Sequence, residues 1–304
     1  MRENEHGLVT YDVADGVVVF SSGAGTGGTS NSTVITGDAG AATVVDTLLL
    51  PSMAARIVAE LDRRGATASL VHDTHPHADH VGGNAAFPNA RALAPPATAE
   101  SVRRLAAEPS LLAGLFPAYA DELAGITLRV PEPATGISVR AGVDVLVTGP
   151  AHSPADLAVT VGSCDVLVAG DLCFNQATPM ALPGHADLAG WAAALDDLIA
   201  LGPRVVVPGH GPPGGIELLY TTRYWVRAVL AAATEAAEAG PDAVTRATPV
   251  DTGPVADWAA PQRTALAVAV AELTGDTSRL PTGIPVASTR QATGPASLVK
   301  GSNA

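Results

Sequence analysis

The sequence predicts an α/β fold, with residues 1–280 forming one unit of two similar β-then-α halves and 281–304 a disordered tail. Three observations carry this. Short runs rich in Val, Thr and Leu, bounded by glycine, come in groups in both halves. Each group is followed by segments whose apolar residues recur at helical spacing. A composition 47% hydrophobic and only 15% charged supplies core material and excludes a chain disordered throughout.

In chain order, Gly16–Phe20, Ser32–Ile35 and Ala42–Leu50 read as strands of a β-meander. The run Ser-Ser-Gly-Ala-Gly-Thr-Gly-Gly-Thr-Ser (21–30) lacks the Gly-Lys-Ser/Thr ending of a phosphate loop and is read as a flexible hairpin tip. Pro51-Ser52 start a helix over Met53–Arg64, and Gly65 stops it. Ser69–His72 begins a strand that runs into a histidine cluster. Helical spacing covers Thr98–Leu115, while Ile126–Val130 and Asp144–Val147 read as strands. Leu157–Val161 and Asp165–Ala169 form a hairpin around Gly162-Ser163. An amphipathic helix (Asp187–Leu201), a buried strand (Arg204–Val207), a long Ala-rich helix (Glu217–Ala239) and a last helix (Pro261–Leu273) follow. Beyond Pro281 the chain is Pro, Thr, Gly, Ser and Ala without periodicity, hence the predicted tail.

Charge and cysteine usage exclude several function classes. Lys plus Arg is 17 against 30 for Asp plus Glu, a net −13 that repels phosphate backbones, so no nucleic-acid partner is expected. No apolar run approaches the ~20 residues needed to span a bilayer. The start, Met-Arg-Glu-Asn-Glu-His, lacks a signal-peptide pattern, and Cys164 and Cys173 cannot make a disulfide framework. A reducing cytoplasm is the expected location.

Four of the eight histidines fall between His72 and His80. A strand ending in His75-Pro76-His77 presents both imidazoles on one side, because side chains alternate with period two, so both can reach one metal. If the chain then turns, Asp79 and His80 face a neighbouring point where a second metal could bind. Pro76 cannot donate a ladder hydrogen bond and fits a strand end. A lone histidine would be an ordinary loop residue; three with an aspartate in six residues point to a metal. His152, Asp171 and His210 each have a bland reading as turn residues. Together they stand after successive strands, where α/β sites assemble. His72 is assigned no ligand role, His6 and His185 are read as surface residues, and Cys173 as a core thiol.

These residues resemble the metallo-β-lactamase superfamily. Its His-x-His-x-Asp-His signature is met by His75 to His80 without substitution, its downstream ligands by His152, Asp171 and His210, and its early aspartate by Asp46. The resemblance implies an αββα sandwich, two mixed sheets face to face and flanked by helices. It implies His75, His77 and His152 around one metal, Asp79, His80 and His210 around the other, and Asp171 bridging. Two Zn²⁺ per chain is the implied cofactor, and iron or manganese would accept the same donors. Coordination lowers the pKa of water from ~15.7 to near 7, giving a nucleophile for a carbonyl at neutral pH. Asp79 would be the catalytic residue that orients or deprotonates that water. Asp46 would fix a histidine tautomer, or it is a strand-end aspartate that caps a helix.

Within the superfamily, true β-lactamases carry cysteine or serine where this chain has Asp171. Nucleic-acid processing members carry basic exosites absent from a chain of charge −13. The stretch 241–260, with Asp242, Asp251 and Asp257 against a single Arg246, suits the glutathione-binding region of glyoxalase-II-like enzymes poorly. A closer resemblance is to aromatic polyketide second-ring cyclase/thioesterases. It is carried by Gly170–Ala181, Trp191–Leu201, Val205–Pro212, Leu115-Phe116-Pro117, Ile126–Pro131 and Asp257-Trp258. That subgroup implies a small-molecule or acyl-carrier-protein-bound substrate, in which a polarised carbonyl serves both ring closure and thioester cleavage. A lactonase, a glyoxalase-II-like hydrolase, an iron-binding redox protein and a metal-stabilised binding protein are the competing readings, and an oligomer is open.

Overall fold

The structure is a computed structural model that describes residues 2–3, 8–23, 27–134, 142–239, 259–278, 280 and 299–300, and the statements below concern these. Strands β1 (Arg2–Glu3), β2 (Val9–Ala14), β3 (Val17–Ser21), β4 (Asn31–Thr36) and β5 (Ala41–Val45) pair antiparallel in sequence order. The predicted meander is therefore present. Helix α1 (Pro51–Arg63) carries the chain back, so that β6 (Thr67–His72) lies parallel to β5. After the short α2 (Ala78–Val81), β7 (Arg91–Ala94) continues the sheet in parallel. Helices α3 (Pro96–Ala107), α4 (Ser110–Leu115) and α5 (Ala120–Leu123) precede the edge strand β8 (Glu132–Pro133).

The second sheet has the order β12-β11-β10-β9-β13. Its strands β9 (Val143–Val147), β10 (Leu157–Val161) and β11 (Val166–Phe174) are antiparallel, and α6 (Leu188–Ala200) returns the chain to β12 (Val205–His210), parallel to β11. Helices α7 (Glu217–Ala239) and α8 (Ala259–Thr274) follow. Within the predicted tail, β13 (Val299–Lys300) pairs with β9. No described helix is long and apolar enough to cross a membrane.

Period-two alternation sorts the side chains into three layers of core. On β3, Val17 and Val19 face the space between the sheets with Ile35, Val145, Val159, Val168 and Val207. Val18 and Phe20 face the other way, onto Ile57 and Leu61 of α1. On β11, Leu167 and Ala169 join Trp191 and Leu195 of α6 and Trp225 and Val229 of α7. Helices outside and two mixed sheets face to face make this the αββα sandwich.

The strands predicted to stop at Ala169 and Val207 run on to Phe174 and His210, which puts Asp171 inside β11, and the helical stretch Thr98–Leu115 is divided into α3 and α4; two further differences have a visible cause. Ile126–Val130 is not a strand. The segment is held by a side chain instead: the Arg129 guanidinium donates to the carbonyls of Phe87 (2.6 Å) and Ala90 (2.7 Å). The strand predicted over Ala42–Leu50 ends at Val45, because Asp46 (φ 60°) and Leu48 (φ 65°) take left-handed backbone. His6, the loop centre 24–26, and Asp257-Trp258 with most of 241–260 lie outside the described residues.

His72 is fully buried at the end of β6, and neither ring nitrogen has a hydrogen-bond partner. Burial lowers its pKa to about 4. The folded state thus refuses a proton that the unfolded state accepts near pH 6.5, and stability is lost as pH falls from there towards 4. The span is worth about 3 kcal/mol. In urea titrations of chelator-treated protein, His72→Leu is expected to lose about that much less than the parent between pH 7 and pH 4.

Candidate metal centre

The centre lies where strands from both sheets end. His75 and His77 follow β6, Asp79 and His80 sit on α2, His152 lies in the turn between β9 and β10, Asp171 is within β11, and His210 ends β12. All seven come together. In one set, His77 Nδ1 is 3.1 Å from His75 Nε2 and 3.0 Å from His152 Nε2, and Asp171 Oδ2 lies 3.7 and 3.4 Å from those Nε2 atoms. In the other, His80 Nε2 and His210 Nε2 are 3.3 Å apart, with Asp171 at 3.2 and 3.3 Å and Asp79 Oδ2 3.6 Å from His210.

Donors held about 2.0–2.1 Å from one tetrahedral ion would stand about 3.3–3.4 Å from each other. The observed separations surround that value. The chemistry agrees: neutral imidazoles aim lone pairs at a common point next to carboxylates, an arrangement that repels unless a cation or protons sit between. Burial holds His75 and His77 well below their usual range and lowers His152 to about 4, keeping them in the neutral form a ligand needs. Burial also opposes charge on His80 and His210, yet the Asp171 carboxylate outweighs it, with Asp46 helping at His80 and Asp79 at His210, so both are raised. Asp171, disfavoured as an anion by burial, is nonetheless held well below its usual range by His210, His80 and His75. Asp79 is pushed up by burial, only partly offset by His80 and His210. The residues fit a divalent ion at each of the two points.

Tutelage of the rings comes from behind. His80 Nδ1 lies 2.9 Å from Asp46 Oδ2, the hydroxyl of Thr74 donates to the same oxygen (2.8 Å), and that hydroxyl is 2.9 Å from His75 Nδ1. With Nδ1–H on both rings, every group in this chain is satisfied and both Nε2 lone pairs face the centre. Asp46 thus touches two of the histidine supports at once. It caps no helix: Leu50 stands at the N-terminus of α1. Its left-handed backbone is held by its N–H donating to His72 O (2.9 Å) and its carbonyl accepting from Ser32 Oγ (2.7 Å).

Ser30, read as the end of a flexible loop, is buried here together with Asn31 and Ser32. Ser30 Oγ donates to Asp79 O, Asn31 Nδ2 donates to Pro208 O (2.8 Å) and Gly211 O (2.7 Å), and Ser32 Oγ reaches Asp46. Three successive side chains therefore tie two ligand-bearing segments, those of Asp79 and His210, to Asp46. Gly209 is needed for a related reason: a Cβ there would sit 1.8 Å from Asp171 Oδ1. No periodicity marks any of these four residues.

His185 is not a free surface residue. It is half-buried, its ring lies at 22° to that of His77 with centroids 5.3 Å apart, and its Nδ1 is 3.2 Å from His77 Nε2. Phe174 lies parallel to His210 (5.3 Å, 1°), and Trp191 meets His152 edge-on at 5.1 Å, so the wall on that side is aromatic and buried. Cys173 is a buried core thiol, its pKa pushed up to about 12 by burial.

Two donor clusters within reach of one carboxylate, at the edge of an αββα sandwich, are groups able to hold metal ions. The chain belongs to the metallo-beta-lactamase superfamily of metal-dependent hydrolases, whose family model matches residues 25–210. Among solved structures it is similar in fold to TMB-1 (21% identity, TM-score 0.57, covering 73% of this chain and 97% of that one). A metallo-beta-lactamase from Hirschia baltica (20%, TM-score 0.56, 71% and 96%) and the DIM-1 metallo-beta-lactamase (19%, TM-score 0.56, 73% and 97%) are similar in the same way.

Proposed function

We propose that the chain is a dinuclear zinc hydrolase that cleaves an acyl thioester, in the manner of the polyketide cyclase/thioesterases. The observation that carries the dinuclear reading is Asp171, whose carboxylate lies 3.2–3.7 Å from the inward nitrogens of His75, His80, His152 and His210. A carboxylate at this position, where β-lactamases carry cysteine or serine, supports a substrate other than a β-lactam. The run Gly170–Ala181 and the segment Val205–Pro212 support the cyclase/thioesterase branch.

When bound, divalent zinc supplies Lewis acidity and lowers the pKa of water. The chain's own residues do the rest. His75, His77 and His152 would hold one ion and Asp79, His80 and His210 the other, with Asp171 within reach of both. Asp79, whose Oδ2 lies 3.6 Å from His210 Nε2 at the second point, accepts the proton of the attacking water. Water adds to the carbonyl carbon, the C–S bond breaks, and the thiolate leaves and takes up a proton. Phe174 and Trp191 keep bulk water from the His210 and His152 side.

Purified protein is expected to hold about two zinc ions and to hydrolyse an acyl-N-acetylcysteamine thioester faster than a simple lactone. Chelation should abolish turnover and zinc should restore it. Protein that takes up no zinc, or faster turnover of the lactone, counts against the proposal.

A further inference from the structure

Asp46 accounts for the tautomers of His75 and His80 but touches nothing of His77. The inward atom of His77 is Nδ1, so its Nε2 is the outer nitrogen, and that atom faces His185 Nδ1 at 3.2 Å. A lone pair can be presented by Nδ1 only if the proton of the neutral ring is on Nε2. Among the described residues, His185 is the hydrogen-bond partner of that Nε2.

We propose that His185 is a positioning residue of the metal centre. His77 Nε2–H donates to His185 Nδ1, which fixes the His77 tautomer and, because the two rings meet edge to edge with only 22° between their planes, the plane of the ring. His185 is itself seated by the chain around it. Its backbone N–H donates to Leu182 O (3.1 Å), Ala186 N–H donates to the same carbonyl (3.0 Å), and Asp187, two residues on, caps α6 through Gly190 N–H (2.9 Å). The acceptor is thus mounted on the start of a helix whose Trp191 packs on His152, another ligand of the same point.

This inference rests on the metal reading above, and its test separates the two. Zinc affinity is measured by competition with a chromogenic chelator, and the cobalt-substituted protein gives the ligand-field spectrum. His185→Leu is expected to weaken zinc binding by about 10–100-fold and to alter the cobalt spectrum. The unfolding midpoint of the metal-free protein should stay within a few degrees. His185→Asn, whose Oδ1 can stand where Nδ1 stood, should restore affinity to within about threefold, which loss of packing alone would not allow. Wild-type affinity and spectrum in His185→Leu would overturn this inference alone. A parent protein that binds no zinc or cobalt would overturn the metal reading and this inference with it.

Discussion

Replacing Asp171 with asparagine is expected to leave a folded protein that no longer holds two metal ions and whose thioester turnover falls by more than about 100-fold, beyond the cost of losing an outer partner. The reason is geometric. One carboxylate faces four inward imidazole nitrogens, one oxygen 3.2 Å from His80 and the other within 3.3–3.7 Å of His210, His152 and His75. An amide offers only one acceptor, and its NH₂ would point a donor at a site that needs lone pairs. The metal-free protein changes as well. Without the anion, burial prevails at His80 and His210 and their pKa values fall, so the variant binds fewer protons near neutrality. Metal analysis, a thioester hydrolysis assay and histidine NMR titration of the metal-free protein check the three expectations in turn. Two zinc ions bound with parental affinity would refute them.

Asn31→Ala is expected to destabilise the metal-free protein by about 2–4 kcal/mol, as judged by urea unfolding, and to weaken zinc binding in addition. Its amide donates both hydrogens to carbonyls on either side of His210, those of Pro208 and Gly211, and all three residues are buried. Truncation leaves two acceptors without partners and frees the segment that presents His210. Asn31→Asp should be worse, since a buried carboxylate would then face two carbonyl oxygens. A loss below about 0.5 kcal/mol in Asn31→Ala would show that water replaces the amide.

Residue chemistry made the ligands legible. His-x-His-x-Asp-His is an unusual density of donors, and the same two-residue period that makes a strand puts His75 and His77 on one side. The strands of both halves were legible for the same reason, since Val-rich runs buried on both faces occur in β10 and β11. Ile126–Val130 has the same composition and is not a strand, because its fate is set by where the Arg129 guanidinium finds carbonyls, and those lie 39 and 42 residues away in sequence.

The sequence by itself determined which atoms are available to a metal, and its resemblance to a known family implied the αββα arrangement that brings them together. Tertiary structure alone decided what holds those atoms in place. His185 meets His77 across 108 residues, and Asn31 meets Pro208 across 177. A single histidine or asparagine in a loop has the same composition whether it faces water or the back of a ligand. Local pattern reports periodicity within one element, whereas the orientation of an imidazole depends on one hydrogen bond made by an element elsewhere in the chain.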